Sequence, residues 1–188
     1  MTKLVLPVCE LAHREAAKIL YPGAVAVDAT MGKGEDTFFL CDAVGEAGTV
    51  YAFDIQESAL EQTRKRLESA GLLSRAELIL AGHETMSRRI AAGSVCCVFF
   101  NLGYLPGGDH DIVTTKETTL AALTSSLTLL EPGGAVFIAV YWGHPGGEEE
   151  KKAVEAFVRN LPVSAWDISE TTFPNRNKAP IMLIIQKK

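Results

Sequence analysis

The residues able to do chemistry fall in five short stretches, each directly downstream of an apolar run. The first is Asp28-Ala29-Thr30-Met31-Gly32-Lys33-Gly34-Glu35-Asp36, after Ala24-Val25-Ala26-Val27. A buried strand that turns through two glycines into a helix brings main-chain N–H groups, and the positive end of the helix, close to a ligand. Asp54 closes a second apolar run, 49–53, and stands 20 residues after Gly34, where a carboxylate can accept both hydroxyls of a ribose. Gly82-His83 ends a third run, Asn101-Leu102-Gly103-Tyr104-Leu105-Pro106-Gly107-Gly108-Asp109 a fourth, and Tyr141-Trp142-Gly143-His144-Pro145-Gly146-Gly147 a fifth.

The ligand of the first loop is narrowed by what the loop lacks. A dinucleotide fingerprint needs a third glycine to let the helix pack close to a pyrophosphate, and Thr37 stands there instead. This disfavours a nicotinamide oxidoreductase. Glu35 and Asp36 would repel phosphates and suit a cation, and S-adenosylmethionine carries a sulfonium and an ammonium. An ordinary strand-to-helix turn with an acidic cap fits the two glycines equally well; Asp54 at the next strand end shifts the balance to the nucleoside ligand.

Asn101 offers a carbonyl oxygen that can accept a hydrogen bond from a substrate amine and aim its lone pair for in-line attack. Tyr104 can stack on a planar base. The competing reading of this stretch is a Pro-Gly turn with asparagine capping its own backbone. His83 either meets an adenine edge or caps a following helix. The 141–147 loop reads as a lid facing the substrate, the alternative being Trp142 as a core anchor. His13 and His110 read as structural. Cys9, Cys41, Cys96 and Cys97 have no metal-ligand or disulfide spacing, and Cys96-Cys97 reads as part of a buried strand, so no metal is expected.

The elements that must position these loops alternate between strand and helix. Strands are expected near 24–28, 49–54, 76–80, 95–100 and 134–141, with helices near 35–44, 57–70, 84–92, 115–130 and 147–160. A helix over 8–20 precedes them, broken at Pro22-Gly23, and strands near 163–169 and 180–187 close the chain as antiparallel neighbours. The pattern predicts an α/β fold, with a seven-stranded, mostly parallel sheet that has one antiparallel strand and helices on both faces. A reversal of strand order would open a crevice beyond the first and fourth strands, where all five loops gather.

With 188 residues, 47% of them hydrophobic, residues 1–188 are expected to form one domain. No run approaches the roughly 20 apolar residues of a membrane span, and no basic segment leads into an apolar signal core, so no membrane partner and a cytoplasmic location are expected. The net charge of −5 argues against a surface that grips nucleic acid everywhere, leaving local basic clusters at Arg64-Lys65-Arg66, Arg88-Arg89 and Arg176 with Lys178.

Residues 28–37, Asp54-Ile55-Gln56, Gly82-His83, 101–109 and 141–150 together resemble the Rossmann-like class I S-adenosylmethionine-dependent methyltransferases. Within that class they are similar to the small bacterial YtqB-like family labelled rRNA methylase, whose members are tRNA 5-(aminomethyl)-2-thiouridine methyltransferases (MnmM). The Asn-Leu-Gly-Tyr-Leu-Pro-Gly-Gly string at 101–108 is the most specific part. The resemblance implies S-adenosylmethionine held by Gly32, Lys33, Gly34, Asp36, Asp54, Gln56 and His83, and Asp28, Thr30, Glu35, Gly82 and Asn101 in the same loops are expected to join them. It implies transfer of methyl to the wobble aminomethyl group of a tRNA anticodon loop. For that chemistry the residues themselves suggest Asn101 and Tyr104 at the amine and Asp28 or Asp109 as proton acceptor. A homodimer is compatible with it. An rRNA or small-molecule amine methyltransferase, and a non-catalytic module that senses S-adenosylmethionine, remain open as alternatives.

Overall fold

The computed structural model describes residues 4–104, 107 and 113–188. Seven strands form one sheet in the order β3-β2-β1-β4-β5-β7-β6: β1 (Val25–Asp28), β2 (Thr49–Asp54), β3 (Ala76–Leu80), β4 (Val95–Leu102), β5 (Leu130–Val140), β6 (Trp166–Thr171) and β7 (Ile181–Lys187). The first five run parallel, and β7 is antiparallel to both β5 and β6. The strand order reverses between β1 and β4, as a crevice at the carboxyl ends of those two strands requires.

Helices cover both faces. Helices α1 (Val8–Ala16), α2 (Glu35–Val44) and α3 (Glu57–Ser69) bury Val8, Ala12, Leu40 and Leu67 with Val50, Cys97 and Phe99 of the sheet. Helices α4 (Lys116–Leu129) and α5 (Gly147–Arg159) bury Leu123, Val154 and Val158 with Val98, Phe100 and Leu102. Side chains on a strand alternate between faces, so Asn101 follows Phe99 towards α1 and α2.

Several elements differ from expectation. The strand expected near 163–169 is β6, displaced to Trp166–Thr171. The helix expected over 8–20 ends at Ala16, and turns run on to Leu20. β5 starts at Leu130, pairing with Val95 before a register shift, then continues with Ala135 opposite Cys97. In place of a helix over 84–92 there is a 3₁₀ segment, His83–Arg88, with Thr85 N–H bonding to Gly82 O and Arg89 N–H to Met86 O. This short connection must cross from β3 past β2 and β1 to reach β4. A 3₁₀ helix advances about 2.0 Å per residue against about 1.5 Å for an α-helix, and so covers more ground.

Among the described residues no helix is long and apolar enough to cross a membrane.

Candidate active site

A cleft of about 820 Å³ opens at the carboxyl ends of β1, β2, β3, β4 and β5. Its first wall is the 28–36 turn. Gly32 (φ +50°) and Gly34 (φ +76°) adopt left-handed backbone that side chains disfavour. Asp54 braces the turn: its Oδ2 accepts the Gly32 N–H at 3.0 Å, and its Oδ1 accepts the Gln56 N–H at 2.9 Å. Each carboxylate oxygen keeps a second lone pair, and Asp54 lines the cleft beside Gln56, with Gly82 and His83 also on its wall.

His83 is buried, and its Nδ1 lies 3.1 Å from Ala29 O. A carbonyl accepts only, so the ring proton sits on Nδ1 and Nε2 is an acceptor. That Nε2 is buried with no hydrogen-bond partner among the described residues. Burial also holds the His83 pKa below its usual value and so keeps the ring neutral. A buried acceptor without a donor is costly, and the amino group of an adenine would supply the donor. The free lone pairs of Asp54, the glycine turn and this orphaned nitrogen fit an adenosyl cofactor.

Opposite lies the end of β4. Asn101 N–H donates to Thr30 Oγ1 at 2.7 Å, which ties β4 to the first loop. Its side-chain Nδ2 donates one N–H to Asp36 Oδ2 at 2.5 Å, which makes Oδ1 the acceptor end of the amide. Tyr104 is 40% exposed on the cleft wall, its ring edge-on to His144 with centroids 6.0 Å apart. Thr30, Lys33, Glu35 and Asp36 line the same space. Lys33 is exposed there, and its main-chain carbonyl accepts from Arg66 Nε at 2.8 Å.

Several sequence expectations change in place. Asp28 does not line the cleft: its carboxylate is fully buried, accepting from Thr37 Oγ1 at 2.6 Å and from Thr30 N–H at 3.2 Å. Burial, aided by the nearby Asp36 charge, raises its pKa to about 7. Its bonds to Thr30 and Thr37 brace the turn, away from the cleft lining where a proton acceptor for substrate was expected. Gly34 also lies outside the lining, against Thr63 of α3. Trp142 is anchored, its indole N–H donating to Ala179 O at 2.8 Å and its ring packing against the core, and with Tyr141, Gly143 and His144 it also lines the cleft, as the loop was expected to. Asp109 and His110 lie outside the described residues.

The helix expected over 8–20 is α1, but its part in the site was not expected. Cys9 lines the cleft, with its Sγ 3.6 Å from Asn101 Oδ1 and 3.2 Å from the Tyr141 hydroxyl. His13 Nε2 lies 2.5 Å from Asp36 Oδ1. The available signal was the i, i+4 spacing of Cys9 and His13, which puts both on one helix face.

A doubly wound sheet with an adenosyl-shaped wall at β1–β3 and an amide at the end of β4 defines a class I S-adenosylmethionine-dependent methyltransferase. The model of the family described as "Putative rRNA methylase" matches residues 50–187, and the chain belongs to that family. It is 40% identical to the Arabidopsis thaliana "tRNA (mnm(5)s(2)U34)-methyltransferase, chloroplastic", over 95% of this chain and 69% of that protein. Among solved structures, a Clostridium thermocellum protein of the same family description superposes with a TM-score of 0.96 at 38% identity, covering 99% of this chain and 100% of the other. A Streptococcus mutans protein in complex with SAH gives 0.90 at 37% identity, covering 98% and 100%.

Proposed function

We propose that this protein methylates the primary amine of 5-aminomethyl-2-thiouridine at the wobble position of tRNA. The observation that carries the reading is Asn101 Oδ1, an acceptor held at the cleft end of β4 while the amide nitrogen donates to Asp36. When bound, S-adenosylmethionine supplies an electrophilic methyl on a sulfonium, so a C–N bond forms as the C–S electron pair returns to sulfur. Asn101 Oδ1 accepts one amine N–H and leaves the nitrogen lone pair to face the methyl. An alkyl amine has a pKa near about 10.4, so the neutral minority form reacts. Tyr104 offers a face for the base, and an anticodon-loop nucleotide costs little to swing out because it is already single-stranded. The name of the Arabidopsis relative supports this substrate. The family description favours an rRNA amine as the second reading. Two copies of the chain acting as a homodimer are compatible with either.

Asn101→Ala tests the assignment. It is expected to lower kcat about 100-fold while SAH affinity, measured by calorimetry, changes less than about threefold. Parallel losses in both would make Asn101 a cofactor ligand and defeat the reading.

A further inference from the structure

We propose that Asp36, held by His13, is the positioning residue that turns the carbonyl oxygen of Asn101 towards the substrate amine; this rests on the reading of Asn101 as the amine acceptor. An amide side chain has two ends of nearly the same shape and opposite hydrogen-bonding character. Asp36 decides between them. Its Oδ2 lies 2.5 Å from Asn101 Nδ2, and at that range an acceptor-only carboxylate attracts an NH₂ group and repels a carbonyl.

Asp36 is itself held. Its other oxygen lies 2.5 Å from His13 Nε2, and the His13 ring stacks on Phe39 with centroids 4.0 Å apart and planes 7° from parallel. Phe99 flanks the same ring at 5.9 Å. Helix α1 thus fixes a carboxylate on α2, which fixes an amide on β4. Cys9, one turn before His13, closes the arrangement from the other side. Its single S–H donates to Asn101 Oδ1 at 3.6 Å, so the Tyr141 hydroxyl at 3.2 Å must donate to the sulfur.

Every donor in the sequence Tyr141, Cys9, Asn101, Asp36 therefore points the same way, and the carboxylate ends the chain. Aligned hydrogen bonds polarise one another. A thiol is a weak donor and a carbonyl oxygen has a second lone pair, so an amine N–H can join or displace Cys9 at little cost.

The test compares Asp36→Asn, His13→Ala, His13→Gln and Asn101→Ala on tRNA lacking the wobble N-methyl group. Asn at position 36 can satisfy either end of Asn101, so the amide orientation is no longer dictated. The expected result for Asp36→Asn is a kcat lowered at least about tenfold, with KM for tRNA and SAH affinity within about threefold of the parent. His13→Ala is expected to lower kcat less, and His13→Gln, whose amide N–H can reach the same carboxylate, to restore most of it. Full activity in both Asp36→Asn and His13→Ala, with Asn101→Ala impaired, overturns the positioning role alone. Full activity of Asn101→Ala overturns the amine reading and this inference with it. Equal losses of SAH affinity and kcat in Asp36→Asn make Asp36 a cofactor ligand and also overturn the inference. Should Asp36→Asn fail to fold, the His13 pair decides: kcat in His13→Ala equal to the parent, or no recovery in His13→Gln, overturns it.

Discussion

Asp54 at the end of β2 holds the Gly32 N–H of the β1 turn at 3.0 Å, so one carboxylate both shapes the glycine turn and faces the cleft. Its loss removes charge-assisted hydrogen bonds on both sides. Asp54→Ala is expected to weaken SAH binding by at least about 2 kcal/mol, roughly 30-fold, measured by calorimetry. Unchanged affinity would remove Asp54 from the ribose site.

Gly34 is required for packing as well as for backbone conformation. A Cβ placed there would stand 2.7 Å from Thr63 Oγ1 and 3.0 Å from the Thr63 Cα, and the φ of +76° disfavours any side chain. Gly71, at φ +70°, has open space around it. Urea unfolding of Gly34→Ala should show a stability loss of at least about 2 kcal/mol, strain plus overpacking, against about 1 kcal/mol for Gly71→Ala. Equal losses would mean that Thr63 moves aside freely.

Asp28 sets a pH dependence of stability. Its folded pKa, about 7, lies above the ordinary carboxylate value because burial disfavours the charge. Between about pH 4 and 7 the folded state therefore binds more protons than the unfolded chain, and stability falls as pH rises. The contribution is fully present below the unfolded pKa and is lost as pH rises through about 7. Asp28→Asn keeps an acceptor for Thr37 and carries no charge. Relative to this variant, the parent should lose several degrees of Tm between about pH 5 and pH 8. Parallel melting curves across that range would contradict a raised pKa.

Much of this arrangement was legible in the residues. Strands β1 to β4 show as apolar runs ending in Asp28, Asp54, Gly82 and Asn101, and because parallel strands share a direction those endings must meet in one crevice. The close of the chain at β6 and β7 followed from a connection too short for a crossover helix. What escaped was tertiary. Val8, Ala12 and Ala16 mark the buried stripe of α1, but nothing local says that this helix docks where Phe99 and Asn101 point, so Cys9 and His13 read as bland residues. Asp28 and Asp36 look alike in sequence and both are buried, but Asp28 accepts from Thr37 and stays off the cleft lining, while Asp36 lies on the cleft wall. His83 was placed at the cleft by its strand end, whereas the orphaned Nε2 that makes it an acceptor depends on the distant Ala29 carbonyl.

The central claim, methyl transfer to a wobble aminomethyl group, is tested most directly by mass spectrometry of nucleosides. Bulk tRNA and rRNA from cells lacking this methylation are incubated with the protein and isotopically labelled S-adenosylmethionine, then digested. The account predicts label in 5-methylaminomethyl-2-thiouridine from tRNA and none in rRNA nucleosides; label confined to rRNA, or absent from both, would contradict it.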